Sequence, residues 1–71
     1  MSDFDLMIKE ARSQKTDIYL QGLLMDLEMY DLVLKNPGAF GSAHIQRAEE
    51  RKKETLKYIE KRMAIPMDQR L

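Results

Sequence analysis

From Ile18 to Leu34 the chain carries apolar side chains round about 240° of a helical wheel. An ordinary surface helix shows a stripe only a little wider than about 100°. Ile18, Tyr19, Leu20, Leu23, Met25, Leu27, Met29, Tyr30, Leu32, Val33 and Leu34 make up the arc, with Gly22 among them. Asp17, Gln21, Glu28, Asp31 and Lys35 hold most of the remaining sector, together with Leu24. A helix of this kind needs neighbours on more than one side, and that need governs every other reading.

The neighbours available within the chain are few. At 71 residues there is room for one small domain, and chains this short rarely stabilise themselves by a hydrophobic core alone. The usual compensations are disulfides, a structural metal or a partner. Cys is absent, which excludes disulfides and thiolate metal sites, and a zinc site built on the single His44 is not expected. Neither a metal nor a cofactor is therefore expected.

Helical periodicity extends beyond the apolar arc. Phe4, Ala11, Ile18, Met25 and Leu32 form an unbroken line at heptad spacing, and Leu6, Leu20, Leu27 and Leu34 form a second line interrupted by Ser13. The polar run from Arg12 to Asp17 is a candidate break, with Thr16 as the cap of a new helix. The unbroken first line argues instead for one continuous helix over about 3–35. Pro37-Gly38 suits the centre of a type II turn, and Ser42 stands where an N-cap belongs. A second helix is expected over about 43–64, stopped by Pro66. The tail, 65–71, is expected to be mobile unless docked, and Phe40 to plug the end of the bundle.

The second helix is of the opposite kind. Ile45, Ala48, Leu56, Ile59 and Met63 lie on one stripe about 80° wide, with Lys52 in line and charged residues over most of the rest. One such stripe covers only part of the arc on the first helix. The fold expected is thus all-α: a single-domain antiparallel two-helix hairpin, with a turn over 36–42, that pairs into a dimeric four-helix bundle. Ile18, Leu20, Leu23, Leu24, Leu27, Tyr30 and Leu34 are expected at the oligomer or partner interface, with Met25 and Met63 filling the core. A different protein with a complementary groove satisfies the same physics as a second copy, and so does an obligate heterodimer.

Charge is balanced overall, 12 basic against 12 acidic residues, but not along the chain. Residues 1–35 carry seven acids and four bases, whereas residues 43–65 carry four acids and seven bases. Two such helices lying antiparallel attract one another. The balance also removes the default reading of a wholly basic nucleic-acid binder. The amino-terminal residues lack the basic and apolar regions of a signal peptide, and no apolar run is long enough to span a bilayer, so a cytoplasmic protein is expected.

Two charged features invite a functional reading. Arg47, Arg51, Lys57, Tyr58 and Arg62 form a possible anion-binding face, where guanidinium groups match phosphate and an aromatic ring stacks on a base. Glu49, Glu50, Glu54 and Glu60 interleave with the basic residues, which favours an ordinary solvated face. Asp26, inside the apolar arc, reads as a buried polar group that fixes register or binds a cationic partner group, or as an edge carboxylate paired with a base of the second helix. His44 has no nucleophile or acid arranged with it in the sequence, and no catalytic residues are expected. The residues thus point to a non-enzymatic interaction protein that binds, regulates, inhibits or chaperones another macromolecule, in the manner of small phage or plasmid accessory proteins. The alternative is an oligomeric binder of phosphate ligands or nucleic acid.

Overall fold

The computed structural model describes residues 3–70, and these form an all-α structure without strands. Helix α1 spans Asp3–Ser13, α2 spans Ile18–Lys35 and α3 spans Ser42–Ala64. Short 3-10 turns at Pro37–Ala39 and Met67–Gln69 follow α2 and α3. The class agrees with the helical period, but the number of helices does not: the expected continuous helix over 3–35 is two helices.

The break has a local cause. Asp17, not Thr16, caps α2, its Oδ1 accepting from the backbone N–H of Leu20 at 3.0 Å. Gln21 reaches back from α2, and its Nε2 donates to the carbonyls of Ala11 (3.1 Å) and Gln14 (2.9 Å). Carbonyls at a helix end lack intrahelical partners, so this side chain satisfies what the break exposes. Folding α1 back places Ala11 in the core with Leu20, Leu24, Leu27 and Ile59, while Met7 and Ile8 pack against them. Each large side chain so covered contributes about 1.5–3 kcal/mol. The heptad line through Phe4, Ala11 and Ile18 survives in the sequence because both helices have the same period. It carries no information on whether the backbone turns between them.

Helices α2 and α3 lie side by side in opposite directions. Asp17 at the start of α2 meets Arg62 near the end of α3, and Asp31 meets Lys52 at 2.7 Å nearer the loop. The opposite charge of the two segments is thus realised in specific pairs, and Lys52 sits in line with the α3 stripe because Asp31 is there to receive it. Along that stripe Ala48 and Ile59 are buried, with Ile45, Leu56 and Met63 half-buried.

The loop departs from expectation in three details. Pro37-Gly38 forms a 3-10 turn with Ala39 N–H bonded to the Asn36 carbonyl at 3.0 Å, and no glycine has positive φ. Pro37 favours this, because its fixed φ suits the first position of a helical turn. Gly41 takes the cap position of α3 and Ser42 is already helical, so the expected serine cap is absent. Phe40 stacks on His44, ring centroids 5.9 Å apart, and stays partly exposed instead of plugging a bundle end. Helix α3 ends at Ala64, ahead of Pro66 as expected.

The tail, expected to be mobile unless docked, is docked through Arg70, and Leu71 lies outside the described residues. The Arg70 side chain, 6% exposed, donates to the Gln14 side-chain oxygen and to the carbonyl of Ile65 at 2.8 Å, and lies 3.5 Å from Asp17. Asp17 also receives Arg62 through two bonds, Nε to Oδ2 at 2.9 Å and Nη2 to Oδ1 at 3.1 Å. The Arg62 bond is the main reason the Asp17 carboxyl is held below its ordinary value of 3.8; the Leu20 N–H and the charges of Arg62 and Arg70 act in the same direction, against desolvation.

A carboxylate whose pKa is depressed by folding stabilises the fold above its unfolded pKa. That contribution is lost as pH falls from about 3.8 through the lower folded value. Asp17→Ala, which removes a cap and two charge-assisted partners, should cost roughly 2–4 kcal/mol. Chemical denaturation at pH 7 and pH 2.5 checks both: the gap between native protein and variant should be large at pH 7 and shrink at pH 2.5.

Candidate interaction surface

Helix α2 has two apolar faces on opposite sides. The inner one carries Leu20, Leu24 and Leu27, which are buried, and Leu23, Tyr30 and Leu34, which are half-buried. The outer one carries Ile18 (84% exposed), Met25 (66%), Met29 (65%) and Leu32 (61%). Gly22 completes the outer set, giving the positions 18, 22, 25, 29 and 32, spaced alternately by four and three. On a wheel of about 100° per residue these five fall within about 80°, diametrically opposite Leu27. Four-three spacing of exposed apolar residues is the pattern of a helix seam awaiting a second helix.

This moves the interface expected from the sequence. Leu20, Leu24 and Leu27 are enclosed by α1 and α3 and do not offer themselves to a second chain, and Leu23, Tyr30 and Leu34 are half-buried on the same inner side. Of the seven expected residues, Ile18 alone is on the outer stripe. Met25, expected in the core, is outside it, whereas Met63 does pack against the core. The physical reason is the fold-back of α1. With α3 it encloses the leucine face of α2, and the sector left open is the one bearing methionines.

The possible anion-binding face is dispersed. Arg47 and Arg51 line a groove of about 290 Å³ with Met29, Tyr30, Val33 and His44, and neither makes an ion pair among the described residues. Arg62 is committed to Asp17, and its guanidinium lies 5.1 Å from the centroid of the Tyr19 ring. Tyr58 is half-exposed, and Lys57 is exposed about 100° further round the helix, away from the groove. Only the two unpaired arginines therefore act at one place. Asp26 is exposed beside the outer stripe and has no ion pair among the described residues, contrary to the edge pairing weighed from the sequence.

A second cleft, of about 340 Å³, opens between Tyr19, Arg62 and Met67 above Asp17. Its charges, Asp17, Arg62 and Arg70, are bonded to one another, so among the described residues it offers no free cation to an anionic ligand. No group of three or more candidate metal ligands occurs among the described residues, and none of the helices is long and apolar enough to cross a membrane. No protein-family model, curated protein or solved structure matches the chain.

The two faces of α2 should respond differently to truncation. Leu27→Ala should lower the stability of the fold by about 2–5 kcal/mol, the usual cost of a core leucine. Met25→Ala should change it by less than about 0.5 kcal/mol when measured at a dilution where chains are separate. Equilibrium urea unfolding of both variants makes the comparison.

Proposed function

We propose that the protein is a non-enzymatic helical interaction module that self-associates through the outer stripe of α2 and in that form binds or regulates another macromolecule. The exposed four-three stripe carries this reading. Surface area supports it: the chain exposes 5591 Å², whereas a compact monomer of 8.4 kDa exposes about 4,600 Å². The excess, about 1,000 Å², is close to the roughly 800 Å² that each partner contributes to a standard interface. A contiguous exposed apolar stripe on a monomer marks an interaction site. Pairing on α2 replaces the four-helix bundle of two hairpins by an assembly in which two α2 helices form the centre and α1 and α3 flank them. A client then meets the charged outer surface of α3.

Self-association is tested by light scattering and sedimentation over a range of concentrations. The unmodified chain should have the mass of an oligomer, and Met25→Glu with Leu32→Glu should reduce it to a monomer with helical circular dichroism retained. A monomeric mass for the unmodified chain throughout would overturn the reading.

A second reading, an oligomeric binder of phosphate ligands or nucleic acid, draws on the unpaired Arg47 and Arg51 beside Tyr30. It predicts binding of a single-stranded oligonucleotide that weakens steeply as salt rises. Arg47→Glu with Arg51→Glu should abolish that binding without loss of helicity. Salt-insensitive binding, or none, removes this reading.

A further inference from the structure

We infer that the occupant of the outer stripe is a second copy lying antiparallel in one register, with Gly22 receiving the partner's Leu32 and Met25 meeting the partner's Met29. This rests on the self-association proposed above and specifies its geometry.

Gly22 is the first observation. Glycine in a helix interior is less favourable than alanine, so its place in the middle of α2 needs a reason. None exists within the chain: φ is not positive, and a Cβ at this position would meet nothing within 4 Å. The residue is a notch in a row of large exposed side chains, and a notch allows a side chain from outside to approach the backbone. In a parallel, in-register pair Gly22 would face the partner's Gly22, leaving one layer empty while Leu32 and the partner's Leu32 crowd another. Antiparallel pairing in this register sets small against large in the two layers of Gly22 and Leu32 and methionine against methionine in the two between them, with Ile18 lying beyond the overlap of the two helices. Uniform filling is what close-packed interiors require.

Charge is the second observation. Asp26 and Glu28 flank the stripe on opposite edges, and a two-fold antiparallel pair brings each towards its own copy. Such acid pairs repel unless countered. At one edge Arg12 already lies 3.6 Å from Glu28. At the other, Arg51 lines the groove with Met29 and Tyr30 and is unpaired among the described residues. Its neighbour Lys52 bonds Asp31, which sets Arg51 near the height of Tyr30 along α2. In the proposed register the partner's Asp26 stands at the height of Glu28, two residues or about 3 Å away along the axis. Each edge of the dimer then holds two carboxylates and two arginines. The chain carries, unused, the counter-charge that a second copy in this orientation requires.

Because the chain has no cysteine, the register can be read by cross-linking. Gly22→Cys and Leu32→Cys are prepared separately, then mixed and mildly oxidised, and disulfide-linked species are identified by mass. The mixture should yield the mixed cross-link, and each variant alone little. Same-site cross-links dominating in each variant alone would establish a different orientation and overturn this inference while leaving self-association intact. A monomeric mass for the unmodified chain overturns both. Gly22→Ile, which fills the notch, should weaken the dimer at least tenfold with helicity retained, and an unchanged dimerisation constant would refute the notch.

Discussion

The structure depends on one carboxylate. Asp17 caps α2 through Leu20, holds Arg62 near the end of α3 by two bonds, and lies against Arg70 of the tail. Four parts of the chain meet there: the turn after α1, the start of α2, the last turns of α3 and the tail. The side chain is only 7% exposed, so its charge is stable because it is hydrogen-bonded on several sides. Its consequence is geometric. Starting α2 at Ile18 lets α1 fold back, which brings Ala11, Met7 and Ile8 onto the leucine face of α2. Without the break α1 would project along the axis of α2 and those leucines would lack a cover.

Closing one side of α2 determines what is left on the other. Leucines at 20, 24 and 27 are taken up by the intramolecular core, and the stripe through Ile18, Met25, Met29 and Leu32 stays open. The core is thin. It is centred on five buried apolar residues, and much of α3 is charged surface. A small fold of this kind gains disproportionately from burying a further helix face, because one or two kcal/mol is a large share of its stability. The same open stripe thus links the fold's stability to the proposed function through the mass action of association.

How much of this was legible in the sequence follows from where the determining contacts lie. The all-α class, the loop near Pro37 and the end of α3 before Pro66 rest on period and backbone chemistry, which are local. The surplus apolar surface on residues 18–34 was legible for the same reason. The break before Ile18 was not, since Asp17 becomes a capping residue in the company of Arg62, 45 positions away. Its identity as a good capping residue was the available local signal, and the intact heptad line outweighed it. Arg70 looked like part of a loose tail because nothing in its surroundings reveals that Gln14 and Asp17 await it. Leu20, Leu24 and Leu27, expected at an interface, lie in the chain's own core for a related reason. A wheel shows how much of a helix is apolar, but which sector stays open depends on where α1 and α3 lie.

The distribution of residue types over the two faces of α2 follows a physical logic. The enclosed face is built of leucine, whose branched side chain has few rotamers and packs into a defined core. The open face has methionine at its two central positions, where a flexible, polarisable chain adapts to an external surface. A face meant only for water would carry charge at those positions, as α3 does on its outer side. One meant only for the chain's own core would not place Gly22 among them, where a small residue leaves a gap that nothing within the chain fills. Adaptable side chains beside a notch suit a neighbour that arrives after the fold has closed. Asp26 and Arg51 on the same flank, without an ion pair among the described residues, extend that logic to charge, because in the proposed pair a second antiparallel copy supplies to each what its own chain does not.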